Sequence, residues 1–335
     1  MSSSSAAGWS WSDCACAGAL PEHALPGPTG AGDRGRVARL AGAAALVGVG
    51  ALLLAACSGG SPNATTGVTV RPAPPGERPS ATYAGPADIL ATAAPQPDGQ
   101  LWLLAGGPAD KTLQQLNLTT GKVSAVAPET SSAATVTQST SGLLGVGLAG
   151  SDTGALELRN GANGALETTV ALGAPVKGLF AGADGNTFYV LNGTLSSSSV
   201  TTVDARTDHV GETIPVPLDT VAIAVAPNQQ FLYAAERSGQ VTVVELSNGS
   251  VSSAFPVGGS PRALAINSSG TTLYVLKSAI SADNVSVVQV ATQEQSAAQP
   301  APLDSVSVQL SLDDRSLYFA VGSPTVGNIQ VFPAR

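Results

Sequence analysis

The chain is poor in the residues that most often carry chemistry. Its 335 residues include two histidines, His23 and His209, and three cysteines, Cys14, Cys16 and Cys57. No cysteine follows residue 57, so the long C-terminal part has neither a disulfide nor a thiolate metal site. Borderline transition metals favour His and Cys ligands and find almost none there, so no metal is expected. Charge is scarce too: 11% of residues are charged, 15 basic against 23 acidic, with only four lysines and no basic run. That removes the electrostatic footprint of a nucleic-acid binder and any attraction of basic side chains to anionic lipid. Helical periodicity is absent after residue 60. G-x-S-x-G, H-E-x-x-H and P-loop motifs are absent as well, so no catalytic residue and no cofactor is assigned.

Hydrophobic residues, at 43%, are plentiful enough for a sizeable core. One apolar run stands apart. Arg34, Arg36 and Arg39 precede Leu40 to Ala56, a 17-residue segment rich in alanine and glycine that ends at Cys57. A basic n-region, an apolar h-region and small residues at its end are the layout of a secretory signal. A spanning helix usually needs about 20 apolar residues, so the run is marginal as a permanent anchor.

Leu54-Ala55-Ala56-Cys57 resembles the bacterial lipobox, in which the cysteine takes a diacylglycerol thioether and becomes the mature N-terminus. Small residues before the cysteine give the peptidase access, and lipid burial of about 0.8 kcal/mol per CH₂ holds the product at a bilayer without a basic patch. The alternative is a transmembrane helix with an incidental cysteine. Four segments follow: an extension at 1–33, which a true start further downstream or a long n-region would account for; a lipoprotein signal at 34–56; lipidated Cys57 with a Gly/Ser/Thr/Pro linker to residue 77, which spans about 25 Å if flexible; and a domain over 78–335. The expected location is the extracytoplasmic face of a bacterial plasma membrane.

The domain repeats itself. "DTVAIAVAPNQQFLYAAERSGQVTVVELSNGSVSSAFPV" from Asp219 has counterparts from Ser260, Asp304 and Pro175, with weaker copies from Asp88 and near Thr130. Aligning Trp102, Leu144, Tyr189, Tyr233, Tyr274 and Tyr318 gives gaps of 42, 45, 44, 41 and 44 residues. Short β-branched runs broken by Asn, Gly, Ser and Pro at that period are the signature of four-stranded propeller blades. A β-sandwich would not require it. The last repeat stops at its third strand, "IQVFPAR", while "RPSATYAG", Arg78 to Gly85, occupies the fourth-strand slot before the first repeat. The expected fold is all-β: one β-propeller of six four-stranded blades, closed by an N-terminal strand that covers an open edge. "GVTV", Gly67 to Val70, is the alternative closing strand. A seven-bladed ring would need a blade that the sequence does not show.

The phrases "SPRALAINSSGTTLYVLKS", "DGNTFYVLNG", "NVSVVQV" and "VTTVDARTDHVGETIPV" resemble the repeats of the YVTN-type β-propeller family, kin to lactonase-like and quinoprotein-like propellers. The resemblance runs over most of 88–335 and implies the fold. Its function is open, since such families hold enzymes and binding proteins alike, and no lactonase catalytic residue can be carried onto this chain.

Register supplies a candidate site. Counting 14 residues back from each aligned residue gives Asp88, Thr130, Pro175, Asp219, Ser260 and Asp304, and counting 12 adds Lys177 and Arg262. These positions start each blade's innermost strand and are expected to gather at one mouth of the central channel. There Asp88, Lys177, Asp219, Arg262 and Asp304 would grip a polar or zwitterionic ligand. The plainer alternative is that the aspartates and serine cap loops and the cations are solvated. Asp98, Asp184 and the pair Asp313-Asp314 read as turn residues, and His209 as a solvated turn residue. The expected role is a membrane-anchored ligand-binding or protein-interaction module, with a small polar ligand or an envelope protein as partner. The alternative is an envelope enzyme of the lactonase or dehydrogenase kind.

Overall fold

The computed structural model describes residues 78–129, 131–278, 282–296 and 298–334; the signal, Cys57 and the linker lie outside the described residues. Among these, every regular element is a β-strand, and no helix is long and apolar enough to cross a membrane.

Blade four shows how a repeat folds. Thr220–Val225, Phe231–Glu236, Gln240–Glu245 and Val251–Pro256 pair antiparallel in that order. Asn228 Oδ1 accepts the Gln230 N–H at 3.0 Å in its first turn, and Asn248 Oδ1 accepts the Ser250 N–H at 2.8 Å in its last. The polar turn residues seen in the sequence thus satisfy backbone donors that leave the ladder. The second strand, FLYAAE, is buried almost throughout, because each blade is covered on both faces by its neighbours.

Six such sheets are present. Their first strands are Ile89–Thr92, Ala133–Gln138, Val176–Ala181, Thr220–Val225, Ser260–Ile266 and Ser305–Leu310. Each packs against the next, and the sixth packs against the first, so the ring is closed. The core is accordingly six interblade layers. Ala224, Tyr233 and Val243 of blade four meet Leu264 and Val275 of blade five, and Ile89 and Leu103 of blade one meet Ala320 and Ile329 of blade six.

Closure uses the start of the domain. Ala81–Gly85 pairs antiparallel with Gly327–Pro333, Tyr83 opposite Ile329, and becomes the fourth strand of blade six. In blade five the fourth strand is split into Glu294–Gln295 and Gln299–Pro300, both on the third strand, Asp283–Gln289.

Two positions of the aligned repeat shift. In blade two the register puts Gly145, not Leu144, at the level of the aromatic residues, because the turn between its first two strands is one residue shorter. A Cβ on Gly145 would meet the Phe188 ring at 2.7 Å, so the missing side chain makes room for an aromatic from blade three. His209 is the exposed first residue of a fourth strand, His209–Val216, rather than part of the turn before it.

Candidate functional site

The first strand of every blade carries a one-residue bulge near its start. Ile89 pairs with Ala105 and Ala91 with Leu104, which leaves Leu90 over. The same shift leaves Ala134, Lys177, Val221, Arg262 and Val306 over in blades two to six. A bulge bends the strand and re-aims the extra side chain, and repeating it six times makes a collar at one end of the channel. Leu90 is 39% exposed, Lys177 and Arg262 are exposed, and Ala134, Val221 and Val306 are half-buried.

A second collar lies two residues earlier. There the backbone carbonyls of Asp88, Ser132, Pro175, Asp219 and Asp304 accept N–H groups from the ends of the second strands at 2.7 to 3.2 Å. Asp88, Asp219 and Asp304 thus hold equivalent positions in blades one, four and six, and Lys177 and Arg262 occupy bulges in blades three and five. All five belong to the same end of the ring. Ser132 stands where the sequence count put Thr130, which lies outside the described residues. Asp219 and Asp304 are exposed and Asp88 half-buried. Asp88 and Asp304 adopt left-handed backbone, φ 52° and 64°, a region that Asp tolerates better than most residues.

Several of these side chains have local partners. Asp219 Oδ2 accepts the Ser238 N–H at 3.1 Å. Arg262 Nη1 donates to the Ser305 carbonyl at 3.2 Å and lies 3.8 Å from Asp283 Oδ2. Lys177 Nζ is 3.4 Å from both the Thr194 carbonyl and Ser198 Oγ.

Asp283 is the residue that sequence reasoning missed. It is 2% exposed, and its Oδ2 accepts the Ser305 N–H at 3.0 Å. Burial pushes its carboxyl above the usual range, against the pull of the Ser305 N–H and Arg262. Arg262 is 21 residues away in sequence, and nothing in the repeat pairs the two. The apolar bulge residues were equally hidden, since Leu90, Val221 and Val306 look like ordinary strand residues.

The other turn residues act as structure. Asp98 Oδ1 accepts the Gln100 N–H at 3.0 Å, and Asp184 Oδ1 accepts those of Asn186 and Thr187 at 3.1 and 3.0 Å. Asp313 Oδ1 accepts the Arg315 N–H, while Asp314 accepts the Ser268 N–H and joins two blades. Among the described residues no group of three or more His, Cys, Asp or Glu side chains is placed to hold a metal ion. A cleft of about 370 Å³ lies between blades one and two at the other end of the ring, lined by Gln96, Asp98, Gln100, Gln138 and Asn160.

A closed ring of four-stranded blades with a bulged inner collar defines a β-propeller. The family described as "Lactonase, 7-bladed beta-propeller" matches residues 159–333, more than half of the chain, and the chain belongs to that family. Its own ring, among the described residues, has six blades. No curated protein sequence matches it significantly. Among solved structures it is similar to Kuenenia stuttgartiensis hydrazine synthase, at 15% identity and a TM-score of 0.58 over 73% of this chain and 83% of that one. That likeness concerns the fold.

Proposed function

We propose that this chain is an exported lipoprotein, tied to the outer face of a bacterial plasma membrane through Cys57, whose propeller binds a small polar ligand at the bulged mouth of its channel. The observation that supports the binding role most is the collar itself: six bulges at one level, two of them exposed cations, with three aspartates one step above. Concave sites with a few convergent polar groups on a rigid scaffold are the usual form of small-ligand sites. The anchor rests on the Arg34 to Cys57 sequence and on the linker that follows it.

The anchor is tested by metabolic labelling with a radiolabelled fatty acid. Label is expected on the native chain and absent from Cys57→Ala, and label on the variant overturns it. The binding role is tested by native mass spectrometry of the full chain in lipid nanodiscs incubated with a small-metabolite extract. An added mass is expected on the native chain and lost from a Lys177→Gln/Arg262→Gln double variant. Retention of the mass by that variant, or no added mass at all, removes the mouth as the site.

Membership of a lactonase family favours a second reading, hydrolysis of a lactone at the same mouth. Turnover of a chromogenic lactone that falls in the double variant would establish it.

A further inference from the structure

Blade two departs from the repeat at two neighbouring positions, both at the end of the ring opposite the mouth. The last residue of its first strand is Gln138, paired with Leu144. The corresponding residues of blades three to six, each paired with the residue before the aligned aromatic, are Ala181, Val225, Ile266 and Leu310. A buried carboxamide thus stands where the other four blades have an aliphatic side chain. The second departure follows the third strand. Leu118, Ala205, Leu246, Val290 and Ala334 each donate their N–H to the carbonyl just before the second strand of their own blade, and each packs against an interblade core. Gly161 makes the same backbone bond, to the Gly142 carbonyl, with no side chain to pack.

The two departures belong together. A Cβ on Gly161 would lie 2.2 Å from Gln138 Nε2, so the glycine makes the room that the glutamine occupies. Gln138 is 8% exposed. Its Nε2 donates to the Gly161 carbonyl at 3.3 Å, an oxygen that the Trp102 indole N–H already reaches at 2.8 Å. Its Oε1 is buried and has no hydrogen-bond partner among the described residues. Leaving a buried acceptor unmade destabilises a fold, and the aliphatic residues of blades three to six show that the repeat does not require it. What the pair creates is the cleft of about 370 Å³ between blades one and two, within the size range of small-ligand sites, which begins at about 300 Å³. Three further carboxamides, Gln96, Gln100 and Asn160, line it, and among the described residues Asp98 is the only charged one that does.

We propose that this cleft is a second binding site, separate from the mouth and independent of it, and that it takes a small uncharged polyol such as a monosaccharide ring. A carboxamide carries a donor and an acceptor side by side, as vicinal hydroxyls do, so one amide matches two hydroxyls of a ring, and the Asp98 carboxylate accepts from another. Gln138 is tied by one long bond only, so its amide turns to the ligand and gains the donor that Oε1 lacks. An anion brings no donor and meets Asp98 with no cation in the cleft to answer it. A simple ammonium has donors alone and leaves the amide N–H groups unmatched.

Isothermal titration of the full chain in lipid nanodiscs, with empty nanodiscs as the blank, tests this with glucose, mannose and myo-inositol against glucuronate. At least one neutral probe is expected to bind tenfold or more tighter than glucuronate. Gln138→Met keeps the shape and removes both polar atoms. It should cut that affinity about tenfold while the melting temperature holds or rises, because the orphaned acceptor is gone. Gln100→Met, on the half-buried wall, should also cut it, and decides the matter if Gln138→Met melts lower. Asp98→Asn keeps an acceptor for the Gln100 N–H and should raise the affinity for glucuronate. Lys177→Gln/Arg262→Gln, at the mouth, should leave polyol binding unchanged. Polyol binding at the cleft is overturned if glucuronate binds as tightly as every neutral probe, if neither Gln138→Met nor Gln100→Met weakens binding, if the mouth variant abolishes it, or if no probe binds.

Discussion

Arg159, on the third strand of blade two, reaches Glu129 at the end of blade one's outer strand, with Nη2 3.1 Å from Oε1 and both side chains buried. The same nitrogen lies 2.7 Å from Glu157 Oε2, and Nη1 donates to the Gly164 carbonyl at 3.0 Å. One guanidinium therefore serves two buried carboxylates across an interblade joint. Burial pushes the Glu129 carboxyl up to about 7, with Arg159 pulling it down and Glu157 adding to the rise.

That shift fixes the direction of a pH effect. An acid whose folded pKa is raised binds its proton more tightly in the folded state, so its contribution is full below the unfolded value of 4.5 and is lost as pH rises through about 7. Thermal melts between pH 5 and 8 should show stability falling with pH, by about 2–3 kcal/mol from this group. Glu129→Gln should flatten the slope and melt higher than the native chain at pH 8. Asp184 and Asp313 are lowered, so their losses come only in acid, whereas buried Asp283 is raised and adds a fall of the same sign as Glu129 that Glu129→Gln leaves in place. A slope unchanged in Glu129→Gln would refute the assignment.

Removing the cation is a different matter. Arg159→Met leaves two carboxylates facing each other without compensation, and stability should fall by about 3–5 kcal/mol at neutral pH. Urea denaturation measures it. Pairing Arg159→Met with Glu129→Gln should recover part of the loss, because one of the two buried charges is gone.

Gly145 tests the packing between blades two and three. A valine there puts its Cβ 2.7 Å from the Phe188 ring and 3.1 Å from Leu179, so Gly145→Val should cost about 1–3 kcal/mol by overpacking. Adding Phe188→Leu should restore some of it, and additivity of the two losses in a double-mutant cycle would contradict direct contact.

Gly327 tests the closure. It pairs with Gly85, and a Cβ there would lie 1.6 Å from the Pro86 carbonyl oxygen. Backbone cannot yield as a side chain can, so Gly327→Ala should push the N-terminal strand off blade six. The expected signs are a loss of about 2–4 kcal/mol and fast hydrogen exchange confined to Ala81–Gly85 and Gly327–Pro333. A variant that exchanges like the native chain would show that closure does not depend on this approach.

The repeat was legible because each strand is covered on both faces and its turns need special backbone. Apolar runs such as "FLYAAE" and turn pairs such as Asn248-Gly249 therefore recur at a fixed spacing, and even the closing strand could be placed by counting. Counting failed at blade two, where a shortened turn moved the register by one and Gly145 replaced an aromatic. For the site, counting found Asp88, Lys177, Asp219, Arg262 and Asp304 at one end of the ring, in two adjacent collars. It could not find the bulges, which are mismatches between two strands and leave no mark on either alone.

The sequence by itself therefore determined the blade, the number of copies and the strand that shuts the ring, since all three follow from local pattern and length. Only the tertiary structure decided what the copies share. Asp283 beneath Arg262, Glu129 against Arg159 and Phe188 in the space over Gly145 are contacts between segments far apart in the chain. They exist because closing the ring presses neighbouring blades together.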